Sequence, residues 1–376
     1  MLREHPTQFD FGRGGPNFNP YNIALQAIQT VGWNETFYEV HRESGDCRGK
    51  PALRAALAQL FSALMKQTIN ADKEIVVTNG AYQGLYLAIK SYIKPGDEVI
   101  LFEPFYNIIV DILALRQAVP VYVPLRTSDG QTARQSNDLT FDRKALEAAF
   151  TNKTKMLYIN NPNNPIGKTF TEEELLFIGQ LCEKHDVIIL ADEVYQLHIY
   201  DSDSHIRIAT LPGMWKRTIT VSSGGKLFNL NGWRVGWVIG PEDLLWSIRM
   251  GLYYSIQSVS RVSQQVLTSV IEIENQRLNS KDSYFSYLSK ESLSKRDRFM
   301  SAFEGTGVDI IKPNSGIYLF ANFSNVINKI DLSSEKDTKR GLRLTYWLLK
   351  QKKLGTFPGD SYYSKQNKHL AEYVVR

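Results

Sequence analysis

The sequence predicts an α/β protein: a doubly wound, mostly parallel sheet with helices on both faces, followed by a smaller α/β region. Short apolar runs rich in β-branched residues alternate with longer runs of helical periodicity through most of the chain. Those short runs are continuously apolar, as strands covered on both faces require. The chain also carries 18 Phe, 19 Tyr and 6 Trp in 376 residues, enough to fill a large core and to exclude wholesale disorder.

The elements follow in order. Met1 to Ser44 is rich in Gly, Pro and Asn and reads as an extended arm. From Pro51 a helix is predicted, with Leu53, Leu57, Leu60, Phe61 and Leu64 along it. Strands are predicted at 74–78, 98–102, 119–124, 155–160, 187–190 and 218–221, with helices at 81–93, 107–116 and 171–185 between them. The polar stretch 126–137 reads as a surface loop. After Pro241 one long helix is predicted over 243–275, then a charged stretch over 279–298, then strand-like runs at 308–311 and 317–321. The change of domain is placed between Ile273 and Ser286, within a connecting helix.

Composition narrows the function classes. Net charge is +5, from 44 basic and 39 acidic residues that are interspersed, which supports no nucleic-acid surface. No apolar run approaches the roughly 18 residues of a membrane span, so no membrane partner is expected. Two cysteines, Cys47 and Cys182, cannot build a disulfide framework or a Cys-rich zinc site, and the six histidines show no metal spacing. No metal is therefore expected, and His185, His198 and His205 are assigned to the surface or an interface. The start of the chain shows no secretory pattern.

In an open α/β sheet, ligands bind beyond the carboxyl ends of the strands. There the sequence offers Asn79-Gly80-Ala81-Tyr82, Glu103-Pro104-Phe105-Tyr106, Asn161-Pro162-Asn163-Asn164-Pro165-Ile166-Gly167, Asp192-Glu193-Val194-Tyr195 and Ser222-Ser223-Gly224-Gly225-Lys226. Singly, each has a bland reading as turn, cap, core or solvated surface. Gly225-Lys226 is no P-loop, because Thr220 and Leu227 stand where glycine and Ser or Thr are needed. Together they supply what pyridoxal 5′-phosphate needs: a lysine for its aldehyde, a carboxylate for its ring nitrogen, a donor for its phenolate oxygen, an aromatic neighbour for its ring, and N–H groups, a hydroxyl and a cation for its phosphate.

The order of these motifs, ending in Gly232-Trp233-Arg234-Val235-Gly236-Trp237, resembles the fold-type I aminotransferases. The run from Asp192 to Gly240, with Leu211-Pro212-Gly213-Met214-Trp215, is similar to the kynurenine aminotransferase (glutamine transaminase K, cysteine-S-conjugate β-lyase) subfamily. The resemblance extends from about Phe11 to the end. It implies residues 1–45 as an arm joined to the small domain, 46–273 as the large cofactor domain and 274–376 as the small domain. It implies Lys226 as the lysine that joins the cofactor and Asp192 as the partner of the ring nitrogen. Asn164 and Tyr195 would hold the phenolate oxygen, and Tyr106 would stack on the ring. Gly80, Ala81, Ser223 and Arg234 would hold the phosphate. Gly14, Tyr82, Asn164 and Arg376 would meet the substrate, Arg376 by gripping its carboxylate.

The implied activity is transamination between an L-amino acid and a 2-oxo acid, with kynurenine, glutamine or another aromatic or neutral amino acid as candidates and β-lyase activity beside it. A homodimer with shared sites and a cytoplasmic location are expected, a mitochondrial one being left open. Three departures stand against the pattern. A tyrosine common in the family is missing near Ser44, aromatic residues are missing near 255–258, and the relatives continue beyond the position of Arg376. From the last comes the expectation of a loosely held Arg376 and poor turnover. The alternatives are a different fold-type I reaction, or a silent cofactor-binding or dimerising protein.

Overall fold

The structure, a computed structural model, describes residues 9–11, 21–33, 45–130, 132–200, 205–278, 280–336, 339–371 and 374–376. Gly14 and Ser44 lie outside them. Eight strands form the main sheet: β2 (Ile75–Thr78), β3 (Glu98–Glu103), β4 (Val119–Arg126), β5 (Thr140–Phe141), β6 (Thr154–Asn160), β7 (Ile188–Asp192), β8 (Thr218–Ser223) and β9 (Gly236–Ile239). Their spatial order is β2-β9-β8-β7-β6-β3-β4-β5. Pairs among β3, β4, β6, β7 and β8 are parallel, and β9 runs antiparallel between β2 and β8.

The apolar runs are buried on both faces because successive side chains alternate sides. Leu157 and Ile159 of β6 pack with Leu175, Ile178 and Cys182 of the helix Glu172–Lys184. Met156 and Tyr158 of the same strand pack on the opposite face with Leu85, Ala88 and Ile89 of the helix Gly80–Tyr92 and with Leu245, Ile248 and Leu252. The helix Glu172–Lys184 starts where its sequence says it should. Thr171 accepts from the Glu174 N–H, and the Glu174 carboxylate accepts from the Thr171 N–H.

Two expectations need correction, and two elements carried no expectation. The first 44 residues are not all extended: Asn22–Trp33 is a helix. Its Ala24, Ala27 and Val31 recur at helical spacing and are buried, Ala27 and Val31 beside Val266. The predicted helix 243–275 is two helices, Glu242–Ile256 and Arg261–Arg277. Gln257 turns left-handed at φ 64°, and Ser260 then caps the second helix by accepting from the Ser263 N–H. The charged stretch is helical, as Tyr284–Ser301, with Tyr284, Phe285 and Leu288 turned inward. Strand β9 was hidden inside a glycine-bearing motif.

A second sheet joins Asp309–Ile311, Phe320–Asn322 and Val374–Val375, all antiparallel. The short strand β1 (Phe9–Asp10) pairs in parallel with Leu354–Gly355. The helix Arg340–Lys352, not anticipated from sequence, buries Leu344 and Leu348 against Ala321, Phe323 and Val375. Among the described residues no helix is long and apolar enough to cross a membrane, and no metal-binding cluster occurs.

Candidate active site

The carboxyl ends of β6, β7 and β8 and the start of the helix after β2 open on one cavity of about 410 Å³. Ala81, Tyr82, Tyr106, Asn164, Asp192, Tyr195, Ser223, Lys226, Arg234 and Arg376 all line it. Residues far apart in sequence meet there because parallel strands end on the same edge.

Asp192 is the last residue of β7 and is buried. Tyr158 donates its hydroxyl to Asp192 Oδ2 at 2.8 Å, and the Val194 N–H lies 3.4 Å from Oδ1. Burial pushes the carboxyl up to about 6, against the pull of those two donors and of Lys226. The hydrogen bonds from Tyr158 and Val194 and the nearby Lys226 favour its ionised form against that burial. Asn160 donates to the Asp192 carbonyl and accepts from the Asn164 N–H, tying the ends of β6 and β7 together.

Lys226 lies in the four-residue helix Gly224–Leu227, whose cap is Ser223 accepting from the Gly225 N–H. Its Nζ donates to Asn231 Oδ1 at 3.1 Å and stands 5.9 Å from the centre of the Tyr195 ring. Burial lowers the amine to about 8; Arg234 and Arg376 add to the fall and Asp192 opposes it. The neutral amine is thus easier to reach near neutral pH than in an ordinary lysine. His198 donates Nε2–H to the Lys226 carbonyl at 2.9 Å; burial lowers the ring to about 4, so it is neutral.

A cradle for an anion lies beside the lysine. Gly80 opens the 13-residue helix Gly80–Tyr92 at φ +72°. A Cβ there would stand 2.5 Å from Arg234 Nη2, and one on Gly236 would stand 2.5 Å from the Ala81 nitrogen. Only glycine allows this approach of strand, helix start and guanidinium. Free N–H groups at a helix start, the Arg234 guanidinium and the Ser223 hydroxyl are the donors a phosphate monoester needs. With a buried carboxylate and a lysine amine on the same cavity, the residues fit pyridoxal phosphate.

The expectation of a loosely held Arg376 does not stand. Its N–H donates to the Phe357 carbonyl at 2.9 Å, and its carbonyl accepts from the Phe357 N–H at 3.1 Å. The guanidinium lies 4.4 Å from the centre of the Tyr318 ring, 5.2 Å from Phe357 and 5.3 Å from Tyr362, and Nη1 donates to Asn164 Oδ1 at 3.3 Å. Strand pairing with Phe320–Asn322 and three rings anchor it. Tyr82 stands at the rim, 46% exposed. The assignment of His198 and His205 to the surface or an interface also needs correction: both side chains are buried, His205 with its Nε2 3.3 Å from Glu193 Oε2, while His185 is exposed. Sequence reading missed Tyr158, His198, Asn231, Tyr318, Phe357 and Tyr362. Asn231 had a signal, five residues beyond Lys226 in the loop that carries Arg234. Tyr318 and Tyr362 had none, because their places depend on distant segments.

Sheet, lysine, carboxylate and anion cradle together define a pyridoxal-phosphate-dependent enzyme of fold type I. The sequence profile of the family "Aminotransferase class I and II" matches residues 7–368, and the chain belongs to that family. Kynurenine–oxoglutarate transaminase 3 of Mus musculus is 35% identical over 378 residues, covering 100% of this chain and 82% of that one. Kynurenine–oxoglutarate transaminase 1 of Homo sapiens is 33% identical, covering 100% and 89%. The crystal structure of Bna3p, a putative kynurenine aminotransferase from Saccharomyces cerevisiae, superposes with a TM-score of 0.89 at 30% identity, over 98% of this chain and 85% of that one. The chain is a pyridoxal-phosphate-dependent transaminase that moves an amino group between an amino acid and a 2-oxo acid.

Proposed function

We propose that the amino acid is an aromatic or neutral one, with kynurenine and glutamine the first candidates, and that β-elimination accompanies transamination. The observation that carries the reading is the Arg376 guanidinium, held over aromatic rings on the same cavity as Lys226 and Asp192. A planar fork of donors matches a carboxylate bidentately. The rings around it offer apolar surface to a side chain, and no further cation is needed there for a neutral substrate. The kynurenine–oxoglutarate transaminases named above support the choice of amino acid.

Pyridoxal phosphate, when bound, supplies an aldehyde that takes the amino group and a ring that draws electron density from Cα. The residues do the rest. Gly80, Ala81, Ser223 and Arg234 hold its phosphate. Tyr106 would cover a face of its ring, and Asn164 and Tyr195 would hold its phenolate oxygen. Asp192 keeps a proton on the ring nitrogen by staying ionised itself. Arg376 orients the substrate by its carboxylate, with Tyr82 at the mouth. Lys226 Nζ, released from the aldehyde, would take the proton from the substrate Cα as general base and, as an ammonium, deliver it to the former aldehyde carbon as general acid. A substrate with a leaving group on Cβ can expel it after the same deprotonation, which is the basis for β-lyase activity.

A screen of oxo-acid-dependent transamination across amino acids tests the substrate class. Amino donation confined to acidic amino acids would overturn it. Pyruvate and ammonia from cysteine conjugates would support the elimination. Arg376→Ala should raise KM for the amino acid roughly 10²-fold with a smaller loss in kcat, since a desolvated charge-assisted pair is lost. An unchanged KM would remove Arg376 from the carboxylate role.

We also propose a homodimer. Trp246, Tyr253, Tyr254 and Ile256 on the helix Glu242–Ile256 are between 40% and 81% exposed, and Val262 of the next helix adds to them. An apolar patch of this kind marks an interaction face. Sedimentation should give about twice the 42.9 kDa chain mass. A fully active monomer would contradict the proposal.

A further inference from the structure

Tyr195 and Tyr318 bring their hydroxyl oxygens to 2.6 Å, and both side chains are buried. Their rings meet edge to face at 5.6 Å. Tyr195 follows β7, whereas Tyr318 arrives 123 residues later, just before the strand Phe320–Asn322. The same Tyr318 ring carries the Arg376 guanidinium on its face. Arg376 thus reaches both residues proposed for the phenolate oxygen: Asn164 by a direct hydrogen bond, and Tyr195 through Tyr318.

We propose that Tyr318 is a positioning residue for the transamination, whose hydroxyl sets the direction in which Tyr195 donates and whose ring seats Arg376. This rests on the roles proposed above for Tyr195 and Arg376. A tyrosine hydroxyl has one proton. When Tyr195 gives its proton to an oxygen in the cavity, its own oxygen can only accept from Tyr318. That donation polarises the Tyr195 O–H and strengthens it as a donor. It also pairs the Tyr318 hydroxyl, which is too buried to be left unpaired, and so pins the ring beneath the guanidinium.

The groups facing the pair are few. Tyr106 and Arg376 act on Tyr195, with Lys226 over its ring and the His198 ring against its edge. Arg376 and Asp192 act on Tyr318. Arg376 is a cation common to both tyrosines, so a carboxylate that neutralises it is felt by the pair.

The test uses the cofactor-loaded chain and four variants: Tyr318→Phe, Tyr318→Leu, Tyr195→Phe and the double variant Tyr195→Phe/Tyr318→Phe. The readout is the pH midpoint of the visible band of the lysine-bound chromophore, with no substrate present. A donor to the phenolate oxygen stabilises its negative charge and loosens its hold on the proton of the lysine linkage. A weaker donor therefore raises the midpoint. Tyr318→Phe should raise it by about half to one pH unit and lower kcat by roughly three- to tenfold, with KM unchanged. Tyr318→Leu, which loses the ring as well, should also raise KM and the Kd of 3-phenylpropionate, used as an unreactive carboxylate, by roughly tenfold. In the Tyr195→Phe background, Tyr318→Phe should move the midpoint no further, because the hydroxyl it acts through is gone. A parental midpoint in Tyr318→Phe, or an additive shift in the double variant, overturns the proposal. If borohydride fixes no chromophore on Lys226 in the parent chain, the wider reading of the site fails first, and the two failures are told apart.

Discussion

Lys226→Ala should lower kcat for transamination by at least about 10³-fold while leaving the fold intact, the upper part of the range for a lost general acid–base group. Lys226 sits in the short helix after β8 that Ser223 caps, and its Nζ donates to Asn231 at 3.1 Å. The side chain is not part of the apolar core, so its removal costs little packing. Burial and two guanidinium groups hold its amine near 8, well below the ordinary lysine value of 10.5. The sign matters: a depressed value means the neutral, nucleophilic form appears at lower pH. In the cofactor-free chain an amine-directed reagent should label Lys226 with a midpoint near 8, ahead of the exposed lysines. Two results would remove Lys226 from this role: near-normal turnover by the alanine variant, or borohydride fixing the cofactor to another lysine.

Asp192→Asn should cost roughly 10²–10³-fold in kcat, the scale of losing a group aimed at charge that develops in the reaction. Cofactor occupancy should change far less, because phosphate, ring and phenolate contacts remain. The variant is isosteric and keeps an acceptor for the Tyr158 hydroxyl, so folding should survive. An amide cannot supply the negative charge that holds a proton on the ring nitrogen. The ¹⁵N chemical shift of the ring nitrogen in labelled cofactor should move from the protonated to the neutral range. Unchanged half-reaction rates with an unchanged ¹⁵N shift would show that Asp192 does not serve the ring nitrogen.

The strands that position these residues were readable because a strand covered on both faces must be apolar along its length. Runs such as 155–160 and 187–190 cannot pass for exposed segments. Their ends were readable because polar and glycine-rich text begins where the apolar run stops. Reading failed where local text was ambiguous. Asn22–Trp33 reads as part of an extended arm because its flanks are rich in Gly, Pro and Asn, although Ala24, Ala27 and Val31 carry a helical stripe. The break at Gln257–Ser260 was missed because no proline or glycine announces it, only serines that cap as readily as they continue.

The sequence by itself determined the class of fold and the residue types at the strand ends: a lysine, a carboxylate, a glycine-opened helix and an arginine. These are local matters, governed by periodicity, by the absence of a side chain on glycine and by what chemistry each group can do. Tertiary structure alone decided the electrostatics and the company those residues keep. Tyr158 reaches Asp192 only because β6 and β7 are paired in register, Asn160 opposite Asp192. His198 holds the Lys226 carbonyl across 28 residues, and Tyr318 meets Tyr195 across 123. Arg376 reaches the cavity because Val375 pairs with Ala321. Burial, which moves Asp192 up and Lys226 down, belongs to the packed molecule and not to any stretch of chain, since desolvation depends on everything that surrounds a group at once.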